Sequence, residues 1–238
     1  NEDIEYLVKK CDVVLPLVAI ATPSTYVTNP LGVFELDFEA NLKVIRWCVK
    51  YGKRVIFPST SEVYGKSSDA EFDEHTTDFV LGPVDKQRWI YSCSKQMMDR
   101  IIYAYGTQKN LDYTIFRPFN FIGPKLDNIA SDVGSRVLTQ FLKNILNSQP
   151  IELVNGGKQT RCFTFIEDGI DCLIKIIENK NGCATREIIN VGNPYENYSI
   201  AQLAQILVEM VGEFDATLAK NVVIRSVSAE EHYGKAYQ

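Results

Sequence analysis

Two groups of residues have types and spacings suited to moving protons. The first lies in "IFPSTSEVYG" (56–65), where an apolar run passes directly into Ser59, Thr60, Ser61, Glu62 and Tyr64. Hydroxyls both donate and accept hydrogen bonds, and a carboxylate can take or return a proton, so this cluster is equipped to orient an alcohol and handle its hydrogen. Serine and threonine also cap turns for backbone reasons alone, and that reading stands beside the chemical one. The second group is Tyr91 with Lys95. Four residues apart on a helix they share a face, and an ammonium near a phenol favours its ionised form. An unperturbed tyrosine has a pKa of about 10, and each unit of lowering needs about 1.4 kcal/mol, which a nearby cation is able to supply. Tyr6/Lys10 and Tyr105/Lys109 have the same spacing. Position in the chain favours Tyr91, which opens a helix shortly after the Ser/Glu cluster. Tyr105 lies near that helix's far end, and Tyr6 precedes the first strand.

The elements that would position these groups alternate between strand and helix. "DVVLPLVAI" (12–20) is almost wholly apolar, as expected of a strand covered on both faces of a parallel sheet. Asn29 and Pro30 then supply an N-cap and a first-turn proline. Phe34, Phe38, Leu42, Ile45 and Val49 recur at helical spacing until Gly52. Further strands are expected at 54–59, 112–118, 151–154, 161–165 and 186–192, and further helices at 91–108, about 134–147, 166–179 and from 199. The fold class is therefore α/β, a doubly wound parallel sheet of Rossmann type whose ligands sit at the carboxyl ends of the strands. Residues just past 58 face that crevice. A division into a partial dinucleotide-binding domain (1–118) and a substrate-binding lobe (119–238), with 161–192 returning to the first, fits the pattern.

Composition narrows the partners. The 238 residues are 45% hydrophobic with a net charge of −5, enough to build a core and too acidic to favour nucleic acid or an anionic membrane. No run is apolar and long enough to span a bilayer. The six cysteines (11, 48, 93, 162, 172 and 183) form no Cys-x-x-Cys pair, and His75 and His232 are the only histidines, so no metal site is expected. The cysteines read as reduced packing residues of a cytoplasmic protein. Asn197-Tyr198-Ser199 matches a glycosylation sequon, which chance explains.

A strand-terminal Ser/Thr, a Tyr-x-x-x-Lys helix and a strand ending in "RPFNFIGP" together resemble the extended short-chain dehydrogenase/reductase family, which works on nucleotide sugars with NAD. Within it, "FPSTSEVYG", "RWIYSCSKQMMDR", "FRPFNFIGPKLDN", "GGKQTRCFTFIEDGI" and "IINVGNP" resemble the UDP-glucuronic acid decarboxylase domains of bifunctional polymyxin-resistance proteins. The resemblance implies that Tyr91 takes the proton of the sugar's 4-hydroxyl, with Lys95 holding the nicotinamide ribose and Thr60 or Ser61 hydrogen-bonding the same hydroxyl. It implies that Glu62 is the acid/base of a decarboxylation step, with its pKa raised by the departing carboxylate. Ala19, Pro118 and Phe119 would border the cofactor. Ala21, Tyr26, Arg88, Asn120, Arg161 and Tyr237 would contact UDP-glucuronate, the guanidinium groups suiting diphosphate and carboxylate. Lys158 would assist at the uridine or diphosphate. Against this, Arg88 and Arg161 also fit solvated surface positions, Phe119 a core position and Lys158 a turn.

The same resemblance places a first strand, a G-x-G-x-x-G phosphate loop and a ribose-binding acid before residue 1, and a basic proton donor a few positions beyond Gln238. It implies pairing into a homo-oligomer through helices at 31–51 and 91–109, where Trp47, Met97 and Ile101 would meet a partner. Competing readings are a UDP-xylose or UDP-apiose synthase, another epimerase or dehydratase, and a ligand-binding member without catalysis. Residues 1–238 by themselves are expected to bind NAD weakly and turn over little; strong NADH production by this stretch alone would contradict that expectation.

Overall fold

A computed structural model describes residues 2–129 and 136–233. The chain opens with α1 (Glu2–Lys10), β1 (Val13–Val14) and α2 (Pro23–Thr28). It continues through α3 (Pro30–Phe34), a π turn at Glu35–Ala40 and α4 (Asn41–Tyr51). There follow β2 (Arg54–Pro58), α5 (Trp89–Lys109), β3 (Tyr113–Pro118) and β4 (Phe121–Ile122). Next are α6 (Val137–Leu146), β5 (Ile151–Val154), β6 (Thr160–Cys162), β7 (Thr164–Phe165), α7 (Ile166–Glu178) and β8 (Glu187–Val191). The last described elements are β9 (Asn197–Ser199), α8 (Ile200–Phe214), α9 (Ala216–Lys220), β10 (Ile224–Val227) and α10 (Ala229–Tyr233).

Strands β1, β2, β3 and β8 form one parallel sheet in that order. Its central strands are buried on both sides, and their side chains divide by the two-residue period. Val55, Phe57, Tyr113 and Ile115 face Ile45 and Cys48 of α4 and Met98 and Ile102 of α5. Ile56 and Phe116 face the opposite layer, with Ile176 of α7 and Val191 of β8. A Rossmann-type α/β sheet with helices on both faces is the result, as the alternating pattern predicts. A separate apolar cluster joins Phe141 and Ile145 of α6, Ile151 and Leu153 of β5, and Ile200, Leu203 and Leu207 of α8.

Local chemistry sets the helix ends. Asn29 accepts the Gly32 N–H at 3.1 Å ahead of Pro30. Gly52 ends α4 in the left-handed region (φ 61°), where a Cβ is disfavoured. Ser199 and Gln202 form a reciprocal capping box at the start of α8.

The first strand differs from expectation. Only Val13 and Val14 pair with β2, although the apolar run extends to Ile20. Pro16 has no N–H to offer a ladder, the Val18 carbonyl is taken by Asn41 and the Ile20 N–H by Asp37, so side chains replace a neighbouring strand. Leu17 and Val18 are consequently exposed rather than covered. The cysteines differ too: Cys48 is buried, Cys162 and Cys172 are half-buried, and Cys11, Cys93 and Cys183 are exposed, so only some of them pack. Among the described residues no helix is long and apolar enough to cross a membrane.

One buried charge network braces the sheet. Arg117 on β3 donates to Asp99 of α5 through Nη2 (3.1 Å) and Nε (3.3 Å), and to the Tyr64 hydroxyl at 2.8 Å. Burial pushes the Asp99 carboxyl up to about 6, a rise the neighbouring guanidinium offsets only in part. Removing the cation strands this carboxylate in the interior. Arg117→Met is therefore expected to cost about 3–5 kcal/mol of stability in urea denaturation. A loss below about 1 kcal/mol would mean the pair does not hold the sheet to α5.

Candidate active site

The crevice forms where β2 runs out. The Ser59 N–H donates to the Phe116 carbonyl of β3 (2.9 Å), and the chain then turns through a 3₁₀ segment at Ser61–Tyr64. Thr60 is extended (φ −162°, ψ 152°), and its hydroxyl accepts the Glu62 N–H at 3.2 Å, which is the capping role. The same side chain stands beside the Tyr91 phenol and favours its ionised form. The capping reading of Thr60 is met, and the residue also borders the phenol. Ser61 stands half-buried at the start of the turn.

Tyr91 lies in the first turn of α5 and is 6% exposed. Its ring stacks on Tyr26 of α2 with centroids 4.8 Å apart and planes within 6°. Burial, and then the negative charges of Glu62 and Asp37, push the Tyr91 phenol well above the ordinary tyrosine range. The Thr60 side chain and Arg136 oppose that rise. Tyr26 is pushed up for the same leading reason, with Glu62 again adding to it.

Lys95 is one helical turn further on and fully buried. Its Nζ donates to the Pro58 carbonyl at the end of β2 (3.0 Å), stands 3.8 Å from Asp37 Oδ1, and lies 5.9 Å from the Tyr91 ring centroid. Burial lowers its pKa, against Asp37 and Asp99, which hold the charge on. The tuning expected from spacing is thus corrected: in this structure the phenol is raised, not lowered. The ammonium is committed to Pro58 and Asp37, and the carboxylate beside it compensates its charge.

Glu62 is half-buried and accepts from Ser92 Oγ and from Arg88 Nη2, each at 3.3 Å. The Arg88 guanidinium also lies 4.2 Å from the Trp89 ring centroid. Arg88 is therefore tied to the cluster rather than free on the surface. Ala19 (half-buried) and Ala21 (exposed) lie on the segment between β1 and α2. Pro118 ends β3, and the Phe119 N–H donates to the Val191 carbonyl at 2.9 Å. Phe119 packs in tilted contact with Tyr64 and Phe72, a partly core role.

Asn120 and Arg161 are joined through β6. Asn120 is exposed with φ 27°, and its side chain donates to the Cys162 carbonyl at 2.9 Å, next to Arg161 on β6. Arg161 is exposed and donates to the Thr160 carbonyl, and Lys158 is exposed before it. Tyr237 lies outside the described residues.

Three participants escaped the sequence reading: Asp37, Asn41 and Ser92, all buried. Asp37 and Asn41 are spaced i, i+4 beside the apolar row Phe34, Phe38, Leu42, and polar residues bordering such a row are a signal that could have found them. Among the described residues no cluster of three His, Cys, Asp or Glu is placed to hold a metal ion.

A crevice at the carboxyl ends of parallel strands, lined by a phenol, a buried ammonium, a threonine and a carboxylate, defines a Rossmann-type protein of the oxidoreductase class. The chain belongs to the NAD dependent epimerase/dehydratase family, which matches over residues 1–192. It is similar to the PbgP3 protein of Burkholderia pseudomallei, with 55% identity and a TM-score of 0.89 over 95% of this chain and 69% of that one. The fold is shared with the UDP-glucuronic acid 4-epimerase of Bacillus cereus, solved with UDP-glucuronic acid and NAD (23% identity, TM-score 0.76, 96% of this chain and 66% of that chain). It is shared also with the UDP-glucose 4-epimerase of Thermotoga maritima (20% identity, TM-score 0.77, 96% and 69%).

NAD is the cofactor of this family, and the residues fit it in part. A phenol and an ammonium one helical turn apart beside the ends of β2 and β3 suit a nicotinamide ribose, which offers hydroxyls to donors and acceptors. The 238 residues contain no G-x-G-x-x-G, so a pyrophosphate cradle of that type is not among them.

The raised phenols carry a consequence for stability. A tyrosine ionises near 10 when unfolded and later when folded, so its contribution is intact below that value and is lost as pH rises above it. Stability measured by denaturation should fall from about pH 10 upward, and less steeply in Tyr91→Phe. An unchanged slope in that variant would place the Tyr91 hydroxyl in water.

Proposed function

We propose that the protein oxidises UDP-glucuronate at C4 and releases its carboxylate as carbon dioxide, giving a UDP-4-keto-pentose. The observation that carries this reading is the convergence of Tyr91, Thr60 and the Glu62 carboxylate on one crevice. Thr60 and Tyr91 hold the 4-hydroxyl, and Tyr91 accepts its proton. NAD, when bound, supplies the hydride acceptor for that carbon. Lys95 holds a positive charge one helical turn behind the phenol, where it offsets the negative field of Asp37. With a carbonyl at C4 the substrate is a β-keto acid: the C5–C6 bond breaks, its electron pair passes to the carbonyl oxygen, and carbon dioxide departs. Glu62, oriented by Arg88 and Ser92, is the acid/base of this step: it takes up a proton from water and passes it to C5 of the enolate.

On this reading Ser61 assists at the same hydroxyl. Ala19, Pro118 and Phe119 border the cofactor, and Ala21, Tyr26, Arg88, Asn120, Arg161 and Tyr237 contact the nucleotide sugar, with residues beyond 119 forming most of its lobe. Sequence resemblance to the decarboxylase domain of the bifunctional polymyxin-resistance protein ArnA supports the choice of substrate. It extends the proposal to the 4-amino-4-deoxy-L-arabinose modification of lipid A in the cytoplasm. Assembly into a homo-oligomer through α4 and α5 belongs to the same proposal, and Met97 on α5 is 48% exposed.

Incubation of the full-length protein with UDP-glucuronate and NAD should yield NADH and carbon dioxide in equal amounts. Tyr91→Phe and Glu62→Gln are each expected to lower turnover about 10²- to 10⁴-fold. Carbon dioxide without net NADH would instead indicate a synthase that reduces the keto sugar before release. A product that keeps its carboxylate, inverted at C4, would overturn decarboxylation in favour of epimerisation.

A further inference from the structure

The helical segment that begins at Pro30 widens into a π turn at Glu35–Ala40 before α4 resumes. An inserted residue of this kind shifts side chains off the regular helical rows and recurs at functional sites. Here the turn carries Asp37, which is fully buried. Asn41 closes the loosened turn by donating to the carbonyls of Leu36 (3.0 Å) and Asp37 (3.3 Å), and it reaches across to the Val18 carbonyl (3.1 Å).

Asp37 itself points in two directions. Its Oδ2 accepts the N–H of Ile20 at 3.1 Å, on the segment that carries Ala19 and Ala21. Its Oδ1 stands 3.8 Å from Lys95 Nζ, and among the described residues no hydrogen bond satisfies this buried oxygen. A buried carboxylate without a full set of hydrogen bonds persists in charged form only beside a cation. The lysine has the matching need, because burial drives its proton off and its neutral hydrogen-bond partner is the Pro58 carbonyl.

We infer that Asp37 is a positioning residue that keeps Lys95 charged behind Tyr91 and ties that charge to the segment following β1. It acts through Lys95 and touches no reacting atom, so the inference rests on the reading of Tyr91 and Lys95 given above. The charged groups bearing on Lys95 are Asp37 from the π turn and Asp99 from its own helix. Around Tyr91 stand Glu62 from the turn after β2, Asp37, Arg136 and the phenol of Tyr26 from α2. Asp99 is engaged by Arg117, which leaves Asp37 as the carboxylate directed at the lysine without another ion-pair partner among the described residues.

Asp37→Asn separates charge from shape, since the amide oxygen still accepts from Ile20. In the full-length protein carrying carbon-13 at the lysine ε position, NMR titration of Asp37→Asn should show Lys95 losing its proton about one pH unit or more below the wild type. The alkaline limb of kcat/KM for the NAD-linked reaction should move down by the same interval. A folded Asp37→Asn protein with an unchanged Lys95 titration would overturn the assignment. Should that variant not fold, carbon-13 shifts of Asp37 and Lys95 in the wild type decide. A shared pH window with both groups ionised supports the pairing, and two neutral groups at neutral pH refute it. The Lys95 titration does not depend on turnover. Full activity in Tyr91→Phe would therefore sink the functional reading and leave this result standing.

Discussion

Everything at this site depends on keeping one ammonium charged inside the protein. Lys95 is buried between α5 and the end of β2, where an isolated cation would shed its proton. Three features hold it there: the Pro58 carbonyl at the point where β2 stops pairing, the Asp37 carboxylate from a widened helical turn, and the more distant field of Asp99. The lysine therefore does structural and electrostatic work together. It stitches a strand end to two helical segments, and it leaves positive charge behind a phenol that burial alone would keep neutral.

The arrangement around it follows from the sheet. A parallel strand buried on both faces has to end somewhere, and its next residues emerge into the crevice with unpaired backbone groups. Thr60 meets that local need by capping the turn, and its hydroxyl remains available to Tyr91. Glu62 sits on the turn so capped, held by Ser92 and Arg88 from the segment that opens α5. Proton-handling groups from two elements are thus set by the same hydrogen bonds that finish the strand and start the helix. The buried Arg117–Asp99 pair locks β3 to α5 one turn beyond Lys95, so the helix that carries the phenol is anchored to the sheet at both levels.

Much of this was legible in the sequence. The alternation of apolar runs with helical stripes was enough for the parallel sheet. Asn29, Pro30 and Gly52 marked helix ends by backbone chemistry that does not depend on the rest of the fold. Thr60 and Glu62 were singled out because strand ends face the crevice, and Tyr91 because it opens the next helix with Lys95 one turn on. The length of β1 was not legible, because what cuts it short is Asn41 and Asp37 reaching back from a later helix. Nor was the direction of the Tyr91 shift. Spacing specifies that two side chains share a face, but not how deeply they are buried or which third charge lies between them. Asp37 was hidden by the π turn, since a regular helical wheel does not anticipate an inserted residue. The hydrogen bond from the Asn120 side chain to the Cys162 carbonyl of β6 was likewise not legible, because it joins residues 42 positions apart.

The most direct test is a double-mutant cycle on the buried pair, comparing the folding stability of Asp37→Asn, Lys95→Met and the two combined. If the carboxylate and the ammonium sustain one another in the interior, each single change strands a partner, and the double variant should lose less than the sum by about 1–3 kcal/mol. Losses that add to within about 0.5 kcal/mol would show that the two charges do not interact, and would contradict the account at its foundation.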